Sequence, residues 1–237
     1  MTSLEQHEQQ HGWSAVPRSL DKLVASRKNP QSPRPIKVED ISIPESSLVK
    51  QITEYAKGNL PGPAFNHSMR VFYFGQAITM QHFPDWHYSP ETWLLACLLH
   101  DIGTTEANMN RTQMSFEFQG GMLAYELLIK NGAPQSQAEA VAETIIRHQD
   151  VGDTGNVSML TAVIHFATLF DNAGGNAQLV HKETIESVVK AWPRNKWTGC
   201  FANVIREEVG RKPWSHTTKI DGFAEMVEAN KLMEPYD

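Results

Sequence analysis

The chain has 237 residues, 41% hydrophobic and 20% charged, a balance that supports one large core and excludes a disordered chain. Its formal net charge of −6 lacks the basic footprint that holds phosphate backbones or anionic lipid surfaces, so neither nucleic acid nor membrane is an expected partner. The two cysteines, Cys97 and Cys200, lie far apart and exclude both a disulfide framework and a thiolate zinc site.

The opening residues, MTSLEQHEQQHGW, hold no apolar stretch of signal-peptide length. No run approaches the roughly 18 uninterrupted apolar residues of a membrane span, and a cytoplasmic protein is expected. Residues 1–40 are polar; their segment ASRKNPQSPRP has no periodicity and reads as a loop or flexible arm, so they form an N-terminal extension that is partly flexible. The globular domain then spans residues 41–237.

Within that domain the signals are helical. Ser46 or Ser47 caps a short helix that ends near Gly58. The run HSMRVFYFGQAITMQHF is apolar at close helical spacing. SPETWLLACLLHDIG opens with Ser89 in an N-cap position and Pro90 at the first helical position. Its middle, WLLACLL, is apolar all round, which places this helix in the centre of the domain. SFEFQGGMLAYELLIKNGAP is a helix stopped by Gly132 and Pro134, and Ser136 with Glu139 forms a capping-box pattern for QAEAVAETIIRHQ. VSMLTAVIHFATLFDNAGG ends in glycines; KETIESVVKAW, GCFANVIREEVG and FAEMVEANKLM supply three further helices. Strand alternation and hairpin signals are absent, so an all-α fold is expected.

Chemistry concentrates at helix ends. His100 and Asp101 close the most apolar helix, and burying an imidazole with a carboxylate is costly unless something compensates them. His67 opens the preceding helix, and Asp171 closes the later one. Two imidazoles and two carboxylates suit zinc, iron, manganese or nickel. Adjacent residues on a helix point about 100° apart, so His100 and Asp101 reach one ion only if the helix is distorted or ends there, and Gly103 suggests that it ends. An exposed Asp beside a helix-ending His is the bland alternative.

The order His67, His100-Asp101, Asp171 resembles the signature of the HD-domain metal-dependent hydrolases. The phrases NHSMRVFYFG, TWLLACLLHDIGT, MSFEFQGG, AEAVAETIIRHQDVG, ATLFDN, KPWSHTT and EANKLM resemble the fungal cyanamide hydratases, over nearly the whole chain from about Gly12 onward. That resemblance implies a compact single-domain helical HD bundle, with residues 41–237 as its catalytic domain. It implies one zinc ion per chain on His67, His100, Asp101 and Asp171, with iron, manganese or nickel also compatible with the ligand types. The implied reaction is hydration of cyanamide to urea, a hydro-lyase activity in which a metal-activated water attacks the nitrile carbon. A small closed pocket, self-association as a homo-oligomer and a role in cyanamide detoxification are implied with it.

His148, in RHQD, is read as the proton shuttle, because an imidazole has the intrinsic pKa for that work; an interaction with its helix dipole is the other reading. Thr168, three residues before Asp171, contacts substrate or water, or else bonds its own helix carbonyl. Glu106 is a candidate base or a solvated loop carboxylate, and Thr104 and Thr105 are candidate pocket residues. His165 is read as a core histidine and His216 as part of an ordered turn. The alternative activity is an HD-type phosphohydrolase acting on a nucleotide or small phosphate ester, which needs free Arg or Lys near the motif. A non-catalytic protein with a structural ion is the third possibility.

Overall fold

The structure, a computed structural model, describes residues 9–28 and 30–237; Met1–Glu8, and with them most of the opening stretch read above, lie outside the described residues. Eleven α-helices form the bundle among the described residues. In chain order they are α1 (Leu20–Ala25), α2 (Ser47–Asn59), α3 (Gly62–His82), α4 (Pro90–Leu99), α5 (Glu106–Asn110), α6 (Phe116–Lys130), α7 (Gln135–Arg147), α8 (Met159–Ala173), α9 (Lys182–Ala191), α10 (Trp197–Arg211) and α11 (Phe223–Glu228). No helix among the described residues is long and apolar enough to cross a membrane.

α4 is the axis of the fold. Ser89 accepts a hydrogen bond from the Thr92 amide at 3.3 Å, Pro90 begins the helix, and every residue from Thr92 to Leu99 is buried. Each fully buried leucine there contributes about 1.5–3 kcal/mol. α3 crosses α4 closely because Gly75 faces Trp93: a Cβ on Gly75 would lie 2.3 Å from the indole. The Trp93 indole then donates to the Phe72 carbonyl at 3.1 Å, satisfying its only polar atom. α8 packs along α3, α7 lies against α4, and α6 pairs with α7.

Local signals were used unevenly. Ser46 caps α2 through the Val49 amide at 3.0 Å. The Ser136–Glu139 capping box is not formed. α7 begins two residues earlier, at Gln135, with Pro134 at the N-cap and no side-chain cap; Glu139 instead accepts from Gln135 Nε2 at 2.7 Å. A two-stranded antiparallel ladder also occurs, pairing β1 (Ala15–Pro17) with β2 (Asn156–Ser158). Three residues per strand are too few to leave an alternation in the sequence. This ladder lays the N-terminal segment beside the start of α8, where Ser158 caps the helix through the Thr161 amide at 3.2 Å. Further along, the Ile36 amide donates to Thr184 Oγ1 at 2.8 Å and the Val38 amide to Ser187 Oγ at 3.1 Å, so residues 36–38 run against α9.

Candidate metal centre and catalytic cavity

His100 is the C-cap of α4, and Asp101 follows with φ −99° and ψ 10°, outside the helix. That break lets both side chains face the same point. The turn after them is tight: a Cβ on Gly103 would lie 2.0 Å from the Phe116 carbonyl oxygen, so the start of α6 seats directly on the turn. Thr104 donates to the Asp101 carbonyl at 2.7 Å, and Thr105 caps α5 through the Asn108 amide at 3.3 Å. His67 lies in the second turn of α3 rather than at its first residue, and α8 continues past Asp171 to Ala173.

Three predicted ligands converge. His67 Nε2 is 3.2 Å from His100 Nε2, His100 Nε2 is 3.3 Å from Asp101 Oδ2, and His67 Nε2 is 3.7 Å from the same oxygen. Tetrahedral zinc with bonds of about 2.0–2.1 Å requires ligand atoms separated by about 3.3–3.4 Å. The triangle has that size. All three residues are buried, and neither carboxylate oxygen of Asp101 has a hydrogen-bond partner.

The tautomers follow from the partners of the opposite ring nitrogens. His67 Nδ1 lies 2.6 Å from Asp171 Oδ2, His100 Nδ1 2.8 Å from the Cys97 carbonyl, and His148 Nδ1 2.6 Å from the Ile145 carbonyl. Those oxygens accept only, so each Nδ1 donates and each neutral ring turns a lone pair outward at Nε2. His148 Nε2 reaches to 3.8 Å from Asp101 Oδ1. Three imidazole nitrogens and a carboxylate thus face one buried place, a donor set of the kind that suits a divalent cation.

Electrostatics favour the neutral form of His67 and His148, and the carboxylate of Asp101 draws His100 the other way. Burial lowers the His67 pKa to about 4, against the pull of Asp171, and burial with the neighbouring His100 also lowers His148. For His100 burial again lowers, but Asp101 overcomes it and the net shift is upward. Burial would raise Asp101; His100, His67 and His148 together hold it well below the usual carboxylate range.

Asp171, expected among the ligands, stands apart from the converging three. Its Oδ2 engages His67 Nδ1, and Arg70 Nε is 2.9 Å and Arg194 Nη1 2.8 Å from its Oδ1. Burial would raise its pKa, and the two guanidiniums drive it far below the usual range instead. Arg194 also binds the Asp237 carboxylate at 2.9 Å. Trp197 stacks on the His67 ring at 4.3 Å and 15°. Sequence reasoning missed this clamp, although Arg70 carries a signal: it lies three residues after His67, on the same helix face.

The other candidates divide. His148 and Thr168 line a cavity with His100 and Asp101, whereas Glu106 is exposed at the start of α5 and Thr104, Thr105 and Glu106 lie outside the lining. The Thr168 hydroxyl donates to its own helix carbonyl, Ile164, at 2.7 Å. His165 is buried with Nε2 2.6 Å from the Arg147 carbonyl, and His216 lies in a short 3₁₀ turn, 2.7 Å from Glu117.

The cavity has a volume of about 280 Å³, larger than the small closed pocket expected around three heavy atoms. The room arises because its walls extend beyond the ligand residues, to Arg18–Asp21 of the N-terminal segment and to Ile220, Phe223 and Met226 near α11. Its charged lining is mostly acidic: Asp21, Asp101 and Asp153 against Arg18 alone. Arg18 is already bound to Asp150 at 2.8 Å.

The pattern of the HD domain family matches residues 64–192, the stretch that carries His67, His100, Asp101, His148 and Asp171. Two proteins of Saccharomyces cerevisiae, cyanamide hydratase DDI2 and cyanamide hydratase DDI3, are each 41% identical to the chain over 223 residues, covering 93% of this chain and 97% of theirs. The buried His-Asp cluster, the helical bundle around it and the extent of these matches lead to one conclusion: the chain belongs to the HD-domain family and, within it, to the family of the cyanamide hydratases.

Proposed function

We propose that this chain adds water to cyanamide and releases urea, using a divalent cation held by His67, His100 and Asp101. The observation that carries the reading is the fully buried Asp101 carboxylate, without a hydrogen-bond partner, on the floor of a cavity and beside three outward imidazole lone pairs. A cation bound there would lower the pKa of water from 15.7 towards about 7, supplying a nucleophile at neutral pH. Zinc is the proposed ion; iron, manganese and nickel suit the same ligand types.

The chain's own residues do the rest. A water oxygen bonds to the nitrile carbon, one C–N π pair moves to the terminal nitrogen, and that nitrogen takes up a proton. The resulting isourea tautomerises to urea, so one water and one cyanamide are consumed. His148 is neutral and has a free Nε2 in the cavity, and it carries the proton from water to nitrogen. Asp171, pinned by Arg70 and Arg194, fixes the His67 tautomer and acts as a positioning residue. Thr168, committed to Ile164, contributes shape to the cavity wall.

The cavity volume would admit a phosphate ester, but its charges argue against one. A phosphate needs unengaged guanidinium or ammonium groups, and the single cation of the lining is bound to Asp150. The deciding experiment measures urea release from cyanamide and metal content on one purified sample. Stoichiometric metal with rapid urea formation, both lost in Asp101→Ala, is expected. Metal-loaded protein that forms no urea refutes the hydratase reading.

A further inference from the structure

Gln149 follows His148 and lines the same cavity, yet its carboxamide is alone. The residue is 5% exposed, and neither Oε1 nor Nε2 has a hydrogen-bond partner. Three other polar side chains of the lining are engaged elsewhere. Thr168 bonds Ile164, Asn172 Oδ1 accepts from the Trp197 indole at 2.7 Å, and Arg18 holds Asp150. A buried amide with both ends unsatisfied is rare and costly, and at a cavity wall it marks a place where a ligand completes the hydrogen bonding.

A carboxamide offers one donor face and one acceptor face side by side, whichever way the amide is turned. Its complement is a small molecule that carries an N–H and a lone-pair heteroatom on the same carbon. Cyanamide and urea both fit that description. Resting on the hydratase reading, we infer that Gln149 is the substrate-recognition residue of this site. Its Oε1 accepts an N–H of the cyanamide amino group, and its Nε2 donates to the terminal nitrogen.

The second contact is weak in the ground state, because the lone pair of a linear nitrile points along the molecular axis. As the water oxygen bonds to carbon, the N–C–N angle closes and the displaced π pair becomes an in-plane lone pair on nitrogen. The Nε2–H bond therefore tightens in the transition state, which is where it accelerates the reaction. Gln149 keeps its own hydrogens: the proton gained by nitrogen comes from water through His148. The site accordingly selects cyanamides that retain an N–H.

The test compares metal-loaded wild type with Gln149→Met, a variant of similar length without hydrogen-bonding groups. Initial rates are taken on cyanamide and on dimethylcyanamide, which has no N–H; metal content and calorimetric binding of urea are measured on the same samples. Wild type should prefer cyanamide by about 10- to 100-fold in kcat/KM. The variant should keep its metal, lose about 10- to 100-fold on cyanamide, bind urea more weakly and show little preference between the two substrates. Undiminished kcat/KM for cyanamide in the metal-replete variant overturns the assignment while leaving the hydratase reading intact, and so does a wild type that hydrates both substrates equally. Should Gln149→Met not fold, the wild-type preference decides. Absence of urea from metal-loaded wild type overturns the hydratase reading and this assignment together.

Discussion

Replacing Asp171 with Asn removes one negative charge from a fully buried place with three side-chain partners. The Asn keeps the size of the side chain and an oxygen for His67 Nδ1, but Arg70 and Arg194, both fully buried, lose their shared anion. Removing one partner of a buried ion pair costs about 3–5 kcal/mol. Arg194 retains Asp237 at 2.9 Å, and Arg70 retains the carbonyls of Trp192 and Pro193 at 3.2 and 3.3 Å. The two losses therefore do not sum, and about 3–5 kcal/mol is expected for the variant as a whole. At about 2–4 °C per kcal/mol for a chain of this length, Tm falls by roughly 6–20 °C. The assay is thermal and denaturant unfolding of both proteins, with the metal loaded and with it chelated. The guanidiniums lose their anion in either state, so the stability difference should persist without metal. A difference that vanishes on chelation would show that Asp171 acts through the ion, and the positioning role would be refuted.

His148→Ala is expected to keep its metal and lose about 10²–10⁴-fold in kcat; loss of metal in that variant would reassign His148 as a ligand. Burial lowers the His165 pKa from 6.5 to about 4, so between those values the unfolded chain binds more protons and stability falls as pH drops. His165→Gln, which keeps a donor for the Arg147 carbonyl, should flatten that acid limb by roughly 2–3 kcal/mol. Denaturant melts at neutral pH and near pH 4.5 read the effect, and equal slopes in both proteins would count against it. Gly103→Ala places a methyl 2.0 Å from a backbone oxygen that cannot rotate away, so α6 must shift. A loss of about 1–3 kcal/mol with reduced metal content is expected, and a variant with wild-type Tm and metal would disprove the close approach.

What the sequence disclosed depended on the range of the physics involved. α4 was legible because Ser89, Pro90 and an all-round apolar middle act within a few residues of each other. Its end was legible through Gly103, though for an incomplete reason: that glycine is required by the Phe116 carbonyl as well as by the helix terminus. Ser136 and Glu139 matched a capping box that Pro134 pre-empted, since with the proline at the N-cap the helix starts two residues sooner. His67, His100 and Asp101 were legible as a pattern and converge as expected. The Asp171 partners were not, because Arg194 sits in a polar loop and meets Asp171 only through the tertiary fold. Gln149 was hidden for a different reason: nothing in RHQD distinguishes an amide with no partner from one that is solvated. The cavity's size was misjudged because Arg18–Asp21 and Ile220–Met226 are distant in sequence from the motif.

If the proposed ion binds, the clamp on Asp171 gives its affinity a particular meaning. Its members, His67, Arg70, Asp171, Arg194 and Asp237, come from widely separated points of the chain, so no fragment or single helix pair can assemble it. Binding is therefore linked to the global folding equilibrium rather than to a local loop. On that reading, a substitution in the core far from the cavity that populates the unfolded chain would weaken apparent metal binding by the same factor, and the ion would raise the melting temperature of every variant that still folds. Metal occupancy would then be a measure of the integrity of the whole bundle.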